Sequence, residues 1–294
     1  MTLTQGITYM HEHVTIDLSG IKQTDDTNLR CFDQTVAEFK KLYAKGVRNI
    51  VDVTVAGMRP DPLYVLEVAE QSGINIVQAT GFYTERFLPP FVQTNCVDQL
   101  AQYMVCEIRD GIAGTPVKAD IIGEIGSSKG GFTPNEQKVF EAAVLAHKET
   151  GVPITTHATL GTFGYEQAVF FAERGVDTAK VLIGHIDLCA DADYALNVLE
   201  QGVYVGFDTV GKENYLPDIN RVNMLQCIEQ AGYIERVVLS MDITRRSNME
   251  HTGGIGYSYL LDCFVPLLRK NGLKEDSIEN LLVKNPRRFF GESV

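Results

Sequence analysis

Short runs of apolar, β-branched residues recur along the chain, and each is followed by a longer stretch whose apolar positions have helical spacing. These runs predict eight strands, at 7–17, 47–55, 74–83, 119–126, 153–159, 181–187, 203–210 and 236–243. The intervening stretches predict helices at 33–45, 61–71, 99–110, 134–150, 165–173, 191–201 and 221–231. Because the strands are mostly apolar rather than alternating, they are typical of parallel strands that are buried on both faces.

Glycine follows most of the predicted helices and precedes the next strand, as expected for the loops that lead from a helix to a strand. The six glycines in such positions are Gly46, Gly73, Gly151, Gly175, Gly202 and Gly232. Eight strand–helix units favour a closed (β/α)₈ TIM barrel over an open doubly wound sheet. The sequence contains neither a G-x-G-x-x-G after the first strand nor a phosphate-binding G-x-x-x-x-G-K-[ST] loop. We therefore predict one α/β barrel domain spanning residues 1–294.

Composition narrows the function classes. With 26 Lys and Arg against 38 Asp and Glu, the formal charge is −12, which argues against nucleic-acid partners and against a polybasic membrane anchor. The six cysteines are scattered without a C-x-x-C pair, which is typical of free thiols. We find neither a signal-peptide pattern at the N-terminus nor a sufficiently long apolar run for a membrane span. We therefore expect a cytoplasmic location.

The first predicted strand contains His11-Glu12-His13. Residues i and i+2 of a strand point to the same side, so both imidazoles can converge on one cation while Glu12 faces away. An H-x-H arises by chance in roughly one chain in ten with this histidine content, so the motif alone is a hypothesis. The alternative is a pair of hydrogen-bonded polar side chains at the end of a strand.

Further candidate ligands lie near the C-terminal ends of other predicted strands, namely Glu124, His157, His185 and Asp242. In a (β/α)₈ barrel these strand ends surround the mouth of the active site, so we expect them to meet His11 and His13 in space. Buried carboxylates without a partner are costly, and imidazole and carboxylate groups together suit Zn²⁺ or Mn²⁺. The sequence therefore predicts a metal site built from these six residues.

This set of strand-end residues resembles that of the phosphotriesterase family of the amidohydrolase superfamily, especially its phosphotriesterase homology proteins. The resemblance covers essentially the whole chain, and it includes Gly123-Glu124-Ile125-Gly126, Gly184-His185-Ile186-Asp187, Ser240-Met241-Asp242 and the closing Asn285-Pro286-Arg287-Arg288-Phe289-Phe290. It implies one metal on His11, His13 and Asp242, a second on His157 and His185, and Glu124 as the bridge between them. The chain departs from the founding phosphotriesterases, which have a carboxylated Lys at the bridging position. The resemblance also implies a homodimer.

General chemistry supplies a mechanism for such a site. Two cations a few ångströms apart lower the pKa of a bridging water, and one of them polarises the oxygen of the group under attack. Asp242 is the expected catalytic residue, which accepts the proton and passes it to the leaving group. We therefore predict a hydrolase with two divalent metal ions per chain, in which a bridging hydroxide cleaves an ester bond. Zn²⁺ is the expected metal, with Mn²⁺, Co²⁺ or Fe²⁺ as alternatives.

The bond that is cleaved is less narrowly defined. A carboxylic ester, a lactone (phosphorylated or not) and a phosphoester all suit the chemistry. Amide or ring-opening hydrolysis and deamination are alternatives within the superfamily, and a non-catalytic barrel that binds a metal or a ligand is an alternative of another class. The absence of G-x-S-x-G, and of any Cys at a predicted strand end, disfavours a covalent mechanism.

Three cations follow the last two predicted strands: Lys212, Arg245 and Arg246. In a chain with a charge of −12 they indicate a small anionic ester or lactone as substrate, although solvated loop charges are an equal alternative. Tyr83 and Tyr257 are the aromatic candidates for the substrate pocket, with a buried structural tyrosine as the alternative for Tyr83.

Four more polar residues receive weaker predictions. We expect His147 on a solvated helix face or beside the helix C-terminus, and His251 in an exposed loop. Asp187 is a candidate to orient His185, with a structural capping role as the alternative. Lys129 lies too far beyond the fourth strand to replace Glu124 as the bridging ligand.

Overall fold

The computed structural model describes residues 2–294, and its eight strands form one parallel sheet in sequential order. The strands are β1 (Ile7–Glu12), β2 (Val47–Asp52), β3 (Asn75–Thr80), β4 (Ile121–Ser127), β5 (Ile154–Ala158), β6 (Val181–Gly184), β7 (Tyr204–Phe207) and β8 (Val237–Leu239). Every neighbouring pair from β1 to β8 is hydrogen-bonded in parallel register. The predicted (β/α)₈ barrel is confirmed.

Helices surround the barrel and connect its strands. They are α1 (Ser19–Lys22), α2 (Phe32–Ala44), α3 (Pro62–Ser72), α4 (Pro90–Thr94), α5 (Val97–Arg109), α6 (Pro134–Thr150), α7 (Gly164–Glu173), α8 (Ala192–Leu199), α9 (Asp218–Gln230), α10 (Val265–Lys270), α11 (Glu275–Glu279) and α12 (Asn285–Phe289). The seven predicted helices correspond to α2, α3 and α5 to α9, with ends shifted by at most a few residues. The helix implied by the closing motif corresponds to α12.

Local sequence signals explain where the best-predicted helices begin and end. Helix α6 starts with a capping box, in which Thr133 and Glu136 each bond the backbone N–H of the other, and Pro134 occupies its first turn. It ends at Gly151, whose φ of 75° is in the left-handed region that glycine adopts without strain. At the start of α3 the Asp61 side chain accepts the backbone N–H of Tyr64, and Gly73, also in the left-handed region, ends the helix. These signals place the helices by local chemistry alone.

The strands are shorter than predicted at their C-terminal ends, most clearly in the first and last. Strand β1 ends at Glu12 and β8 at Leu239, whereas the predicted runs extend to 17 and 243. Beyond Leu239 the backbone bonds become mixed. The Ser240 N–H still donates to the Phe207 carbonyl at 3.2 Å, whereas the N–H groups of Met241 and Ile243 donate to the side chain of Glu12.

The helices α1, α4, α10 and α11 were not predicted. Helices α1 and α4 have four and five residues, which is too few turns for a periodic pattern. Helix α10 directly continues a π-helical segment at Leu260–Phe264, and α11 is joined to α12 by another at Asn280–Lys284.

Between β8 and β1 no ladder pairing is found within residues 2–294. One backbone hydrogen bond, from the Asp242 N–H to the His11 carbonyl at 3.3 Å, and several side-chain bonds close this seam. The carboxylate of the buried Glu12 accepts hydrogen bonds from the backbone N–H groups of Met241 (2.7 Å) and Ile243 (3.0 Å), and from the Ser240 hydroxyl (2.8 Å). The Ser240 hydroxyl oxygen in turn accepts the His11 N–H at 3.0 Å. Glu12 therefore satisfies backbone donors that a neighbouring strand would otherwise satisfy.

The core has two layers, one inside the barrel and one between the barrel and its helices. Phe39 on α2 and Phe140 on α6 are fully buried between helix and sheet, as are strand residues such as Ile50 and Ile122. Burial of this extent supplies the main stabilising free energy of the fold. None of the helices within residues 2–294 combines the length and apolar character needed to cross a membrane.

Candidate metal centre

The structure brings the six predicted ligands together at the C-terminal end of the barrel. His11 lies on β1, Glu124 on β4 and His157 on β5. The other three, His13, His185 and Asp242, follow β1, β6 and β8 within three residues of the strand ends. Residues on or just after five of the eight strands thus form a single cluster.

One part of the cluster contains His11, His13 and Asp242, whose ligand atoms all lie within 4.8 Å of one another. The Nε2 atom of His13 is 3.4 Å from Oδ1 of Asp242, and that of His11 is 4.0 Å from the same oxygen. Two imidazole nitrogens and one carboxylate oxygen therefore face a common point. This is the arrangement that the H-x-H motif predicts.

The other part of the cluster is arranged around Glu124. His11, Glu124 and His185 form a second group of ligand atoms within 4.8 Å of one another. Oε1 of Glu124 lies 2.6 Å from Nδ1 of His157 and 3.2 Å from Nε2 of His185. Its Oε2 faces the first group, at 3.7 Å from Nε2 of His13. Oε1 also lies 3.6 Å from Nε2 of His11, so the carboxylate of Glu124 stands between the two groups, as a bridging ligand requires.

Unpaired buried nitrogens show that a metal ion fits this cluster. His11 is fully buried, yet neither of its ring nitrogens has a hydrogen-bond partner among the described residues. Leaving a buried polar group unpaired costs about 1–3 kcal/mol, and coordination of a cation would remove that cost. The donor set, four imidazoles and two carboxylates, is one that Zn²⁺ and other first-row divalent ions accept.

Both carboxylates of the cluster are held in the charged form that metal ligation needs. Burial by itself would raise the pKa of Asp242, but the Lys212 ammonium and nearby imidazoles outweigh it and hold that pKa well below its usual range. Burial likewise opposes ionisation of Glu124, and the imidazoles of His11 and His157 reverse the effect on its pKa. The centre therefore presents two anionic ligands in a buried site.

Two of the six residues adopt backbone conformations that side chains other than glycine rarely occupy. His185 has a φ of 62° and Asp242 a φ of 50°, both in the left-handed region. Such a conformation costs of order 1–3 kcal/mol and persists where the surrounding structure imposes it, most often at functional sites. The strain directs both side chains into the cluster.

Asp208, which directly follows β7, fixes the ring of His185. Its Oδ1 lies 2.7 Å from Nδ1 of His185 and also accepts the backbone N–H of that residue at 3.0 Å. With Nδ1 engaged, Nε2 is directed towards Glu124. Sequence reasoning did not assign this role to Asp208, although an acidic residue at the end of the strand beside β6 was a usable signal.

The orienting role considered for Asp187 is wrong. Its carboxylate is fully buried but binds Nε of Arg221 at 2.7 Å and the Thr209 hydroxyl, not His185. Arg221 also contacts Asp218 at 2.8 Å, so this buried network joins the loops after β6 and β7. Asp187 has a structural role, but the role is an ion pair with Arg221 and not the capping that the sequence suggested.

A small cavity of about 140 Å³ opens directly above the cluster. Among the predicted substrate residues, Lys212, Arg245 and Tyr83 line it. The Tyr83 hydroxyl lies 3.3 Å from the ring nitrogens of His157, and the Lys212 ammonium contacts Oδ2 of Asp242. Sequence reasoning missed further lining residues, namely Ile16, Leu18, Lys22, Met58, Leu160, Leu188 and Tyr215.

Two of the predicted substrate residues do not line the cavity. Tyr257 is fully buried beneath the cluster, and its hydroxyl donates to the backbone carbonyl of His13 at 2.9 Å. Arg246 turns away and donates from Nε to the carbonyl of Asn28 at 2.5 Å. Tertiary packing decided both placements, because neighbouring residues of a loop, such as Arg245 and Arg246, can point in different directions.

The remaining polar candidates lie apart from the cluster. His147 is buried rather than solvated, and its Nδ1 bonds the carbonyl of Val152 at 2.7 Å just beyond the end of α6. His251 is exposed, as predicted, and Lys129 is exposed and takes no part in the cluster.

The fold and site together define an α/β barrel with a candidate metal centre at the C-terminal ends of its strands. The chain belongs to the phosphotriesterase family, whose model matches residues 2–290. It is 45% identical over 285 residues to a phosphotriesterase homology protein of Escherichia coli K12, covering 97% of this chain and 98% of that protein. The predicted family membership is confirmed.

Solved structures and a further relative agree with this assignment. The crystal structure of the phosphotriesterase homology protein from Escherichia coli, complexed with phosphate in its active site, aligns with a TM-score of 0.96 over 97% of this chain and 99% of that chain, at 45% identity. An aryldialkylphosphatase of Saccharolobus solfataricus is 31% identical and covers 97% of this chain and 95% of that protein. A lactonase from Listeria monocytogenes aligns with a TM-score of 0.93 at 26% identity, over 99% of this chain and 96% of that chain. Family and neighbours together support hydrolase activity.

Proposed function

We propose that this protein is a dinuclear metal-dependent hydrolase that cleaves an ester bond, with a lactone, a carboxylic ester or a phosphoester as substrate. The observation that carries the proposal is the cluster itself, in which four histidines surround a buried Glu124 and both ring nitrogens of His11 lack partners. Relatives whose names describe an aryldialkylphosphatase and a lactonase act on esters of two kinds, which supports the ester class.

The six candidate ligands would form binding sites for two ions. His11, His13 and Asp242 would hold one ion, His157 and His185 the other, and Glu124 would contribute one oxygen to each. When bound, the ions make a hydroxide nucleophile available at neutral pH and polarise the carbonyl or phosphoryl oxygen. Zn²⁺ is the ion we expect, because the donor set combines imidazole and carboxylate groups in a compact site.

The protein's own groups manage the proton and the substrate. Asp242, whose carboxylate lines the cavity, accepts the proton of the attacking water on a carboxylate oxygen and delivers it to the leaving alkoxide. Lys212 contacts Oδ2 of Asp242 and positions that carboxylate. The walls of the small cavity hold the ester against the cluster and limit the access of bulk water.

Metal content and turnover test the proposal together. The purified protein should contain about two equivalents of divalent metal per chain, and His157→Ala and His185→Ala should each lose about one equivalent together with most of the activity. His251→Ala is the matched control, because His251 is exposed and should keep metal and rate.

A substrate panel identifies the bond. Aryl esters, lactones, phosphodiesters and acyl amides should be assayed with added Zn²⁺ or Mn²⁺, and we expect turnover of an ester or lactone. Hydrolysis of amides alone would replace the ester assignment. A protein that binds no divalent metal, and that cleaves none of these compounds even with Zn²⁺ or Mn²⁺ added, would contradict the proposal.

A further inference from the structure

Two buried polar residues at the end of β2, Asp52 and Thr54, lie behind His13 and are not among the six candidate ligands. Glu12 pairs with Asp52 in the parallel register of β1 and β2, and the Val53 N–H donates to the Glu12 carbonyl at 3.0 Å. These backbone contacts bring the residue after Val53 alongside the residue after Glu12. The sheet itself therefore places Thr54 beside His13.

The hydroxyl of Thr54 contacts the ring of His13 on the side away from the cluster. Oγ1 of Thr54 lies 2.8 Å from Nδ1 of His13. Water has little access to this contact, because His13 and Thr54 are only 2% and 4% exposed. With Nδ1 engaged, Nε2 is the ring nitrogen that faces Oδ1 of Asp242, at 3.4 Å.

The carboxylate of Asp52 decides which way the protons of this contact point. Its Oδ1 accepts the backbone N–H of Thr54 at 3.0 Å, and hydrogen bonds from the Thr54 hydroxyl and the Val14 N–H act on the same carboxylate. Burial raises the pKa of Asp52 to about 6, so at neutral pH the carboxylate is mostly ionised and can only accept hydrogen bonds. The Thr54 hydroxyl therefore donates its one proton to Asp52, and its oxygen accepts the Nδ1–H of His13. This hydrogen-bond chain, from His13 through Thr54 to Asp52, leaves the lone pair of His13 on Nε2.

The chain matters because the other histidine of the same group has no such support. Neither ring nitrogen of His11 has a hydrogen-bond partner among the described residues. The orientation of an imidazole in the group of His11, His13 and Asp242 thus depends on the contact between Thr54 and His13. On the other side of the centre, Asp208 contacts His185 directly, without a hydroxyl between them.

We propose that Thr54 and Asp52 are positioning residues for one of the two ions, and that they fix the His13 ring in the tautomer that directs Nε2 to the ion of His11, His13 and Asp242. The inference rests on the proposed function in that this ion is part of the centre. It deepens that function by giving β2, a strand without a candidate ligand, a part in building the site. Because the hydrogen-bond chain reaches only His13, its loss weakens the binding of one ion and spares the other.

Zn²⁺ titration of the metal-free full-length protein tests the proposal. Thr54→Val keeps the shape of the side chain and removes the hydroxyl, so we expect one of the two equivalents of Zn²⁺ to bind about 10–100-fold more weakly and the other to bind as in the wild type. Thr54→Ser keeps the hydroxyl and should keep the affinity within a few fold. Thr155→Val is the matched control, because Thr155 is a fully buried threonine of β5 whose hydroxyl has no partner among the described residues.

A double-mutant cycle tests whether Asp52 acts through Thr54. Asp52→Asn presents a neutral amide to the Thr54 hydroxyl, so the affinity for the same equivalent of Zn²⁺ should fall. Removal of the hydroxyl disconnects Asp52 from His13, so the double variant should bind Zn²⁺ about as weakly as Thr54→Val alone. Losses that add in full would show that Asp52 does not act through the hydroxyl, and would overturn the hydrogen-bond chain.

Two further readouts separate positioning from a general loss of structure. The hydrolysis rate of Thr54→Val should be low at limiting Zn²⁺ and return towards the wild-type rate at excess Zn²⁺, whereas a misfolded barrel would not recover. In ¹H–¹⁵N NMR spectra of the Zn²⁺-loaded protein, the Nδ1–H of His13 should exchange slowly with water in the wild type and rapidly in Thr54→Val.

The outcomes distinguish this inference from the ester assignment. If Thr54→Val loses one equivalent of Zn²⁺ but the wild type cleaves no ester, the positioning role is supported and the ester assignment fails. If Thr54→Val binds both equivalents as tightly as the wild type, or if the wild type binds no Zn²⁺, the positioning role is overturned.

Discussion

The direction of the His185 ring depends on a carboxylate from the neighbouring strand. The carboxylate of Asp208 accepts the backbone N–H of His185 and lies 2.7 Å from Nδ1 of the His185 ring. This contact directs Nε2 of the same ring towards Glu124. Groups that orient a metal-binding histidine raise its basicity and fix its tautomer. Asp208 therefore orients a candidate ligand, although it is not itself one of the six candidate ligands.

Asp208→Asn tests this contribution. The amide keeps the shape of the side chain but can present an N–H donor to Nδ1, so we expect metal affinity to fall by about 10–100-fold, with a matching fall in kcat at limiting metal. Competition with a chelator and elemental analysis measure the affinity. Asp193→Asn, at an exposed position, is the control, and an unchanged affinity in Asp208→Asn would contradict the role.

At the scale of elements, helix α2 anchors the long segment that follows β8. Glu38 of α2 is buried, and its two carboxylate oxygens accept the backbone N–H groups of Glu250 (2.9 Å) and Tyr257 (3.0 Å). Burial raises the pKa of Glu38, and these hydrogen bonds offset the rise only in part. A single carboxylate thus connects a helix to the segment that also carries Arg245.

The raised pKa of Glu38 makes a contribution to stability that depends on pH. Because the folded protein binds this proton more tightly than the unfolded chain, the contribution is fully present below the ordinary pKa of 4.5 and is lost as the pH rises through the folded-state value. Glu38→Gln removes this titration while keeping a side chain of the same size. We expect the stability of the variant relative to the wild type to increase as the pH rises above the ordinary pKa of 4.5.

Urea unfolding of both proteins, with metal present, measures this difference. Glu67→Gln, on the exposed side of α3, is the control and should show a difference that does not vary with pH. A difference between Glu38→Gln and the wild type that stays constant as the pH rises would show that the pKa of Glu38 is not raised by folding.

At the scale of the whole molecule, the proposed metal ions connect strands that are far apart in sequence. The six candidate ligands lie on or just after β1, β4, β5, β6 and β8, including both sides of the seam between the first and last strands. A ligand that binds only the folded state stabilises it in proportion to the logarithm of its concentration over Kd. The centre should therefore support the fold as well as the chemistry.

Metal removal tests this coupling. Exhaustive chelation should abolish hydrolysis and lower the Tm by several degrees, since a stabilisation of about 2.7 kcal/mol is expected at a ligand concentration 100 times Kd. Differential scanning calorimetry before and after re-addition of Zn²⁺ measures the shift, and Tm should recover together with activity. If complete removal of the metal left Tm unchanged, the metal centre would not contribute to the stability of the fold.

The barrel was predictable because its signals are local and repeated. Apolar runs, the caps of α3 and α6 and a glycine such as Gly151 each act within a few residues, and eight repetitions leave few alternative architectures. The convergence of the six candidate ligands was predictable for a related reason, since strand order places the residues at strand ends on one rim. The early ends of β1 and β8 were not predictable, because they depend on contacts across the seam. Helices α1 and α4 were not predictable either, because each is too short for a periodic pattern.

The sequence by itself determined the (β/α)₈ architecture, the family resemblance and the identity of the six residues that converge. Only the tertiary structure decided which nearby polar groups make contacts with these six residues. Asp208 rather than Asp187 holds His185, Lys212 is engaged with Asp242, and Tyr257 lies beneath the cluster rather than in the cavity. The physical reason is that strand periodicity fixes the side of the sheet on which a residue lies, whereas the partner of a loop side chain depends on packing between segments distant in sequence.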